Sequence, residues 1–173
     1  MIVRKAQIKD SKRVAEIHVK TWQTAYKYIV DRNHLNNLSI KKSTKINRKN
    51  INDKSIVSLV VENNNNEVVG FLFGGLNRYK ELVDEYKGEI YGIYILREYS
   101  KKGMGKKLVK RFFEILLEKN ITSAHVMFLA GNEAENFYYK LGARYVTSTD
   151  YKIGNHVYMV HSYGWNDISL LDS

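Results

Sequence analysis

Apolar positions along the chain recur with two periods, and the changes from one to the other mark out the elements. Ile2 to Ala6 is a short β-prone run. Val14, Ile17, His18, Trp22 and Ala25 then follow at i, i+3, i+4, i+8 and i+11, the spacing of an amphipathic helix, with Asp10 or Ser11 placed to cap it. A weaker helical pattern covers about Asp31 to Asn50, carrying Leu35 and Leu38 beside a solvated face of Lys41, Lys42, Lys45 and Lys49. Ile56–Val61 and Val68–Leu76 are rich in Val, Leu and Phe, and Asn63–Asn66 separate them, which predicts a β-hairpin with a polar tip. Gly70, Gly74 and Gly75 weaken the second run and mark bends or close backbone approach.

Residues 77–88 form a charged connection into Glu89–Leu96, a strongly β-prone EIYGIYIL. After the turn REYSKKGMG, Leu108, Val109, Phe112, Phe113, Ile115 and Leu116 give a helix from about Gly103 to Lys119 a wide buried stripe. Ala124–Leu129 is a further strand, and Glu133–Leu141 a short helix whose end at Gly142 suits a left-handed cap. Arg144–Tyr151 and His156–Tyr163 are two last strands joined through Gly154-Asn155. The order β-α-α-β-β-β-α-β-α-β-β predicts the α/β class, a mixed sheet flanked by helices, without repeats or linkers.

Composition narrows the classes. At 173 residues the chain has the size of one domain, taken as residues 1–173. It contains no Cys, which excludes disulfides, thiolate metal sites and a cysteine nucleophile. Met1 leads into a mixed-charge segment rather than a signal peptide. No run approaches the ~20 apolar residues a membrane span requires, so a cytoplasmic protein is expected. The formal charge of +10 favours anionic partners, but Lys, Asn, Ile and Tyr are all abundant, as composition bias alone would produce. A nucleic-acid binder would rest on charge alone, so neither nucleic acid nor membrane is expected as a partner. His18, His34, His125, His156 and His161 show no metal-ligand spacing and are expected to be structural; no metal is expected.

The chemistry concentrates in two segments. In IYILREYSKKGMGKKLVKRFF, Gly103 and Gly105 flank Met104 where a helix begins. Helix starts present unpaired N–H groups and partial positive charge, a seat for phosphate, and glycine removes the Cβ that would keep an anion away. Lys101, Lys102, Lys106 and Lys107 surround the same turn. Leu108 replaces the third glycine of a dinucleotide fingerprint, and a P-loop Lys-Ser/Thr pair is missing. On the glycines alone, an ordinary strand-to-helix turn is the stronger reading. The second segment, LAGNEAENFYYKLGARYV, puts Asn132 at a strand end and Phe137-Tyr138 on a helix closed by Leu141-Gly142.

Together the two segments resemble the signatures of the GNAT family of N-acetyltransferases, Gln/Arg-x-x-Gly-x-Gly/Ala and Asn-x-Ala-x-x-Phe-Tyr-x-x-Leu-Gly-Phe, at the family's separation. The order of elements agrees over nearly all of residues 1–163. Ser100 departs from the first pattern and Ala143 from the second. The resemblance implies a central mixed sheet with two splayed strands, here 89–96 and 123–130. It implies acetyl-CoA as co-substrate, its pantetheine arm along Ile93, Tyr94 and Ile95, and its pyrophosphate in the turn of Lys101, Lys102, Gly103, Met104, Gly105 and Lys106. Asn132 would hydrogen-bond the cofactor at the splay.

The implied reaction is direct transfer to a primary amine of a small molecule or peptide, with no covalent enzyme intermediate. An alkylamine has a pKa of about 10.4 and must lose a proton to attack, the developing oxyanion needs donors, and the departing thiolate needs an acid. Tyr138 matches the family's general-acid tyrosine, although Ala134, Phe137, Tyr138 and Leu141 share a helix face that also reads as core; Tyr139 is the weaker candidate. Glu89, fourteen residues before Gly103, matches the glutamate base of the histone-acetylating branch. A surface or substrate-contact role and a water chain are the alternatives, with Tyr91 a lesser relay. Trp22, Tyr26 and Tyr28 are core or pocket residues. The acidic stretch ELVDEYKGE, with Glu81, Asp84, Glu85 and Glu89, would attract a cationic amine such as a polyamine, or else form a solvated loop. A non-catalytic acyl-CoA sensor and a homodimer both remain open at this point.

Overall fold

In the computed structural model, which describes residues 2–172, seven strands form one sheet in the order β1-β2-β3-β4-β5-β7-β6. They are β1 (Ile2–Lys5), β2 (Val57–Glu62), β3 (Val68–Leu76), β4 (Gly88–Ile95), β5 (Ala124–Leu129), β6 (Arg144–Ile153) and β7 (His156–Trp165). The helices are α1 (Ser11–Ala25), α2 (Arg32–Asn36), α3 (Ile40–Asn52), α4 (Met104–Leu117) and α5 (Ala134–Lys140). This is the expected mixed α/β sheet. Every neighbouring pair is antiparallel except β4 and β5, which the crossover through α4 makes parallel.

Alternation along β3 assigns the two faces of the sheet. Phe71 and Phe73 point to the side where α1 brings His18 within 6.4 Å of the Phe71 ring. Gly74 faces the other side, where a Cβ would stand 2.5 Å from the Phe112 ring of α4; here glycine permits the close approach of helix and sheet. Phe112, Phe113, Leu108 and Leu116 of α4 are fully buried in that layer. A second apolar cluster joins Tyr26, Val30 and Leu35 to Leu129, Ile153 and Val160, so the α1–α2 connection is packed against β5 and the β6–β7 hairpin.

The helical stretch expected over 31–50 is two helices. Asp31 accepts a hydrogen bond from the His34 amide at 3.0 Å, and Ser39 accepts one from the Lys42 amide at 3.3 Å. Each side chain starts its own helix, so the chain turns between them. Asp10 does precede α1, but its carboxylate accepts from Arg4 and from the Gln7 amide, both at 2.7 Å, instead of capping that helix. No helix among the described residues is long and apolar enough to cross a membrane, and none of their His, Asp and Glu groups forms a cluster that could hold a metal ion.

Candidate active site

The site is built around β4. Its first residues pair with β5 at Gly88↔Ala124, Glu89↔His125 and Ile90↔Val126, and beyond Ile90 the two strands part. Backbone groups on that edge of residues 91–95 therefore have no strand beside them. On its other edge β4 carries a bulge: Phe73 pairs with Gly92 and Gly74 with Ile90, which leaves Tyr91 without an opposite number.

A cleft of about 500 Å³ occupies the splay. Ile93, Tyr94 and Ile95 form its β4 wall, Phe128 its β5 wall, and Asn132 and Tyr138 close it from the α5 side. At its far end stand Lys101, Gly103, Gly105 and Lys106. Lys101 at φ 59° and Gly103 at φ 78° are both left-handed, which turns the chain sharply into α4. No side chain among the described residues caps α4, and the first amide to bond back is that of Lys107, to the Gly103 carbonyl at 3.1 Å. The helix start thus keeps its donors and its partial positive charge for a ligand.

The two glycines serve different ends. A Cβ on Gly103 would meet nothing within 4 Å, so its left-handed backbone is what requires glycine. A Cβ on Gly105 would stand 2.8 Å from the Phe137 ring, so this glycine lets α5 lean against the start of α4 and sets the cleft's width.

Tyr138 is 4% exposed, lines the cleft, and stacks near Phe128 with ring centroids 5.2 Å apart. Burial, with Tyr94 adding to it, pushes its phenol well above the ordinary value, so the hydroxyl keeps its proton. Asn132 receives the Ala134 amide on its Oδ1 at 3.0 Å and donates from Nδ2 to the Tyr26 hydroxyl at 3.2 Å, so it both starts α5 and fixes Tyr26 on the cleft wall. Thr21, from α1, also lines the cleft, and its Oγ1 is buried with no hydrogen-bond partner among the described residues. A buried hydroxyl of this kind fits a polar ligand group. Of the remaining expected residues, Met104 is buried beneath the turn, while Lys102 is exposed, its ammonium 5.3 Å from the centre of the Tyr99 ring; neither lines the cleft.

A second cavity, of about 440 Å³, opens on the other side of the same strand. His18 of α1, Asn47 of α3, Phe71 and Phe73 of β3, and Arg78 contribute to its walls. Tyr91, Gly92 and Tyr94 line both spaces, so the bulged part of β4 is the partition between them. Burial pulls the His18 imidazole down to about 4, and its ring packs edgewise on Tyr94 at 5.1 Å between centroids. Among the residues thought to be core or pocket, Tyr26 lines the first cleft, Trp22 packs between His18 and Tyr26, and Tyr28 is 91% exposed and lines neither space.

Glu89 is not a surface residue. It is 6% exposed and lines neither cavity. Its carboxylate accepts the Arg78 backbone N–H at 2.8 Å, Nε at 3.2 Å and Nη2 at 2.7 Å. Glu81, Asp84 and Glu85 are exposed and also line neither cavity, so the acidic stretch does not reach the site. Arg78 and His18 are the site residues that the sequence reading missed. Arg78 lay within a connection read only as charged, and the single available signal for His18 was its place on the apolar stripe of α1.

The chain matches the acetyltransferase (GNAT) family over residues 13–143. It is 30% identical over 170 residues to the uncharacterized N-acetyltransferase YuaI of Bacillus subtilis (strain 168), covering 98% of this chain and 95% of that protein. Its fold is similar to the PaiA N-acetyltransferase of Thermoplasma acidophilum solved in complex with coenzyme A (TM-score 0.72, 19% identity, 95% of this chain and 98% of that one). It is also similar to yncA, a putative acetyltransferase of Salmonella typhimurium solved with acetyl-CoA (TM-score 0.66, 18% identity, 97% and 94%).

Proposed function

This chain belongs to the GNAT family and is an N-acetyltransferase that uses an acyl-CoA co-substrate; from that premise we propose that residues 1–173, as one domain, move an acetyl group from acetyl-CoA directly to a primary amine of a small molecule or peptide. The observation that carries the reading is the position of β4: the strand whose free edge lines the splay also floors the second cavity, through Tyr91, Gly92 and Tyr94. A donor held on one side and an amine held on the other would meet at the bulge. Both being present together, no enzyme-bound acyl group is required.

The residues of the first cleft suit the donor. The uncapped start of α4, with Lys101 and Lys106 beside it, would hold the diphosphate, and the unpaired edge of Ile93–Ile95 would hold the pantetheine amides. When bound, acetyl-CoA supplies a thioester whose C–S bond breaks as the amine's N–C bond forms, with sulfur leaving as thiolate. A backbone N–H on the free edge of β4 is placed to receive negative charge developing on an acyl oxygen. Tyr138 carries a proton at Oη in the cleft and is the acid for the sulfur. For the amine's proton we favour water in the second cavity over Glu89, because the Glu89 carboxylate is held by Arg78 outside that space.

A panel of primary amines offered with acetyl-CoA, with thiol release followed, tests the reading. Saturable, amine-dependent release is expected. Release that never rises above hydrolysis with any amine would overturn it.

A further inference from the structure

The second cavity has a chemical character of its own. Its cationic lining residues are Arg78 and Lys42, and no carboxylate lines it. The rest of its wall sets the apolar side chains of Leu38, Ile46, Ile56, Phe71 and Phe73 beside uncharged polar residues of α3 and the turn before it, among them Ser39, Ser43 and Asn47. The Arg78 charge is already balanced by Glu89, and a polyamine entering the cavity would find no carboxylate on its wall to pair its several ammonium groups.

Arg78 is held ready for an anion. Its Nε and Nη2 are bonded to Glu89 at 3.2 and 2.7 Å, and its Cζ lies over the Tyr91 ring, 3.4 Å from the ring centre. Tyr91 is itself fixed by donating to the Leu76 carbonyl at 2.8 Å. Nη1 has no bond to any described residue, and the side chain is 59% exposed, so a ligand can reach it. A guanidinium immobilised on one edge and on one face offers its remaining N–H groups with little further loss of freedom.

We infer that the acceptor is an amine that also carries a carboxylate on an apolar body, a hydrophobic amino acid in chemical terms, with Arg78 and Lys42 reading the carboxylate. This rests on the acetyltransferase reading above. The carboxylate sits against Arg78 at one part of the cavity while the amine is directed to Gly92 and Tyr94, where the two spaces adjoin. The amine's lone pair forms the N–C bond, the thioester C–S bond breaks, one N–H proton passes to water, and the sulfur takes the Tyr138 proton, which solvent restores. Glu89 acts in this scheme as a positioning residue for Arg78.

The test compares matched pairs with and without the carboxylate: phenylalanine against phenethylamine, leucine against 3-methylbutylamine, and spermidine beside them, all at saturating acetyl-CoA. The amino acids are expected to have kcat/KM about 10-fold or more above their decarboxylated partners, with spermidine the poorest, as suits one charge-assisted contact. Arg78→Gln also removes the partner of the buried Glu89, so the variant is read as a ratio: KM for phenylalanine should rise about 10-fold more than KM for phenethylamine, a split that a merely structural defect would not produce. Lys42→Ala, at an exposed position that does not endanger folding, should reduce the same preference by about 2- to 5-fold. Decarboxylated amines or spermidine preferred, or both variants acting on the members of a pair alike, would overturn the inference while leaving the acetyltransferase reading intact. If no amine is turned over, that reading fails, and calorimetry with N-acetylphenylalanine against N-phenethylacetamide decides the inference separately. Tighter binding of the carboxylate compound upholds it, and equal binding ends it.

Discussion

The two spaces on either side of β4 are made in different ways. The cleft in the splay is largely a backbone structure: an unpaired strand edge, a left-handed turn at Lys101 and Gly103, and a helix start with no side-chain cap. The cavity behind the bulge is made of side chains from α1, α3, β3, β4 and the connection bearing Arg78. Backbone donors are insensitive to most substitutions, so one cleft can serve one donor across many sequences. A wall of side chains changes with each residue, so on the proposed reading the other space would set the choice of acceptor. Tyr138 stands apart, as the side chain on the donor side whose chemistry the backbone cannot replace.

The largest expected effect is at that exception. Tyr138→Phe removes the proposed acid for the leaving sulfur and keeps the ring against Phe128, so kcat should fall by about 10²-fold or more with little change in stability. Steady-state kinetics and a thermal melt check both halves. An unchanged kcat would leave the donor side with no chemically active side chain at all.

A medium effect is expected on the acceptor side, in stability rather than rate. His18 has an imidazole lowered from 6.5 to about 4 by burial. Between those values the unfolded chain binds a proton there and the folded chain does not, so stability falls as pH drops through that window. The loss attributable to this residue reaches about 3 kcal/mol near pH 4. Burial also lowers His125, so the difference between the native protein and His18→Gln isolates the contribution. Denaturant titrations at pH 7 and pH 4.5 should show a smaller pH dependence in the variant, and equal dependence would contradict the buried, neutral His18.

The smallest effect separates backbone from side chain on the donor side. Lys101→Ala and Lys106→Ala, both at exposed positions, should each raise KM for acetyl-CoA by only about 2- to 5-fold, less at high salt. A loss of several hundred-fold would mean that lysines, rather than amides, hold the diphosphate.

The same division decided what could be read from the chain. Gly103, Gly105, Asn132, Phe137 and Tyr138 lie within two short segments, because a strand, a turn and a helix start are local structures with local signatures. The strands were legible for the same reason, and so was the hairpin of β2 and β3. The second cavity joins His18, Asn47, Phe71, Arg78 and Tyr91 across most of the chain, and nothing local about Arg78 indicates that Glu89 and Tyr91 hold its guanidinium. Glu89 was found by its spacing, but its burial depends on Arg78, which spacing does not reveal. The division of 31–50 into α2 and α3 was missed because the signals at Asp31 and Ser39 are single capping side chains inside a continuous polar run.

A crystal structure of the protein grown with acetyl-CoA examines the arrangement about β4 at every point. Density for the diphosphate against the amides at the start of α4, with the acetyl group beside Tyr138 and the β4 bulge, is the expected result. A coenzyme bound elsewhere, or a splay left vacant at saturating acetyl-CoA, would contradict it.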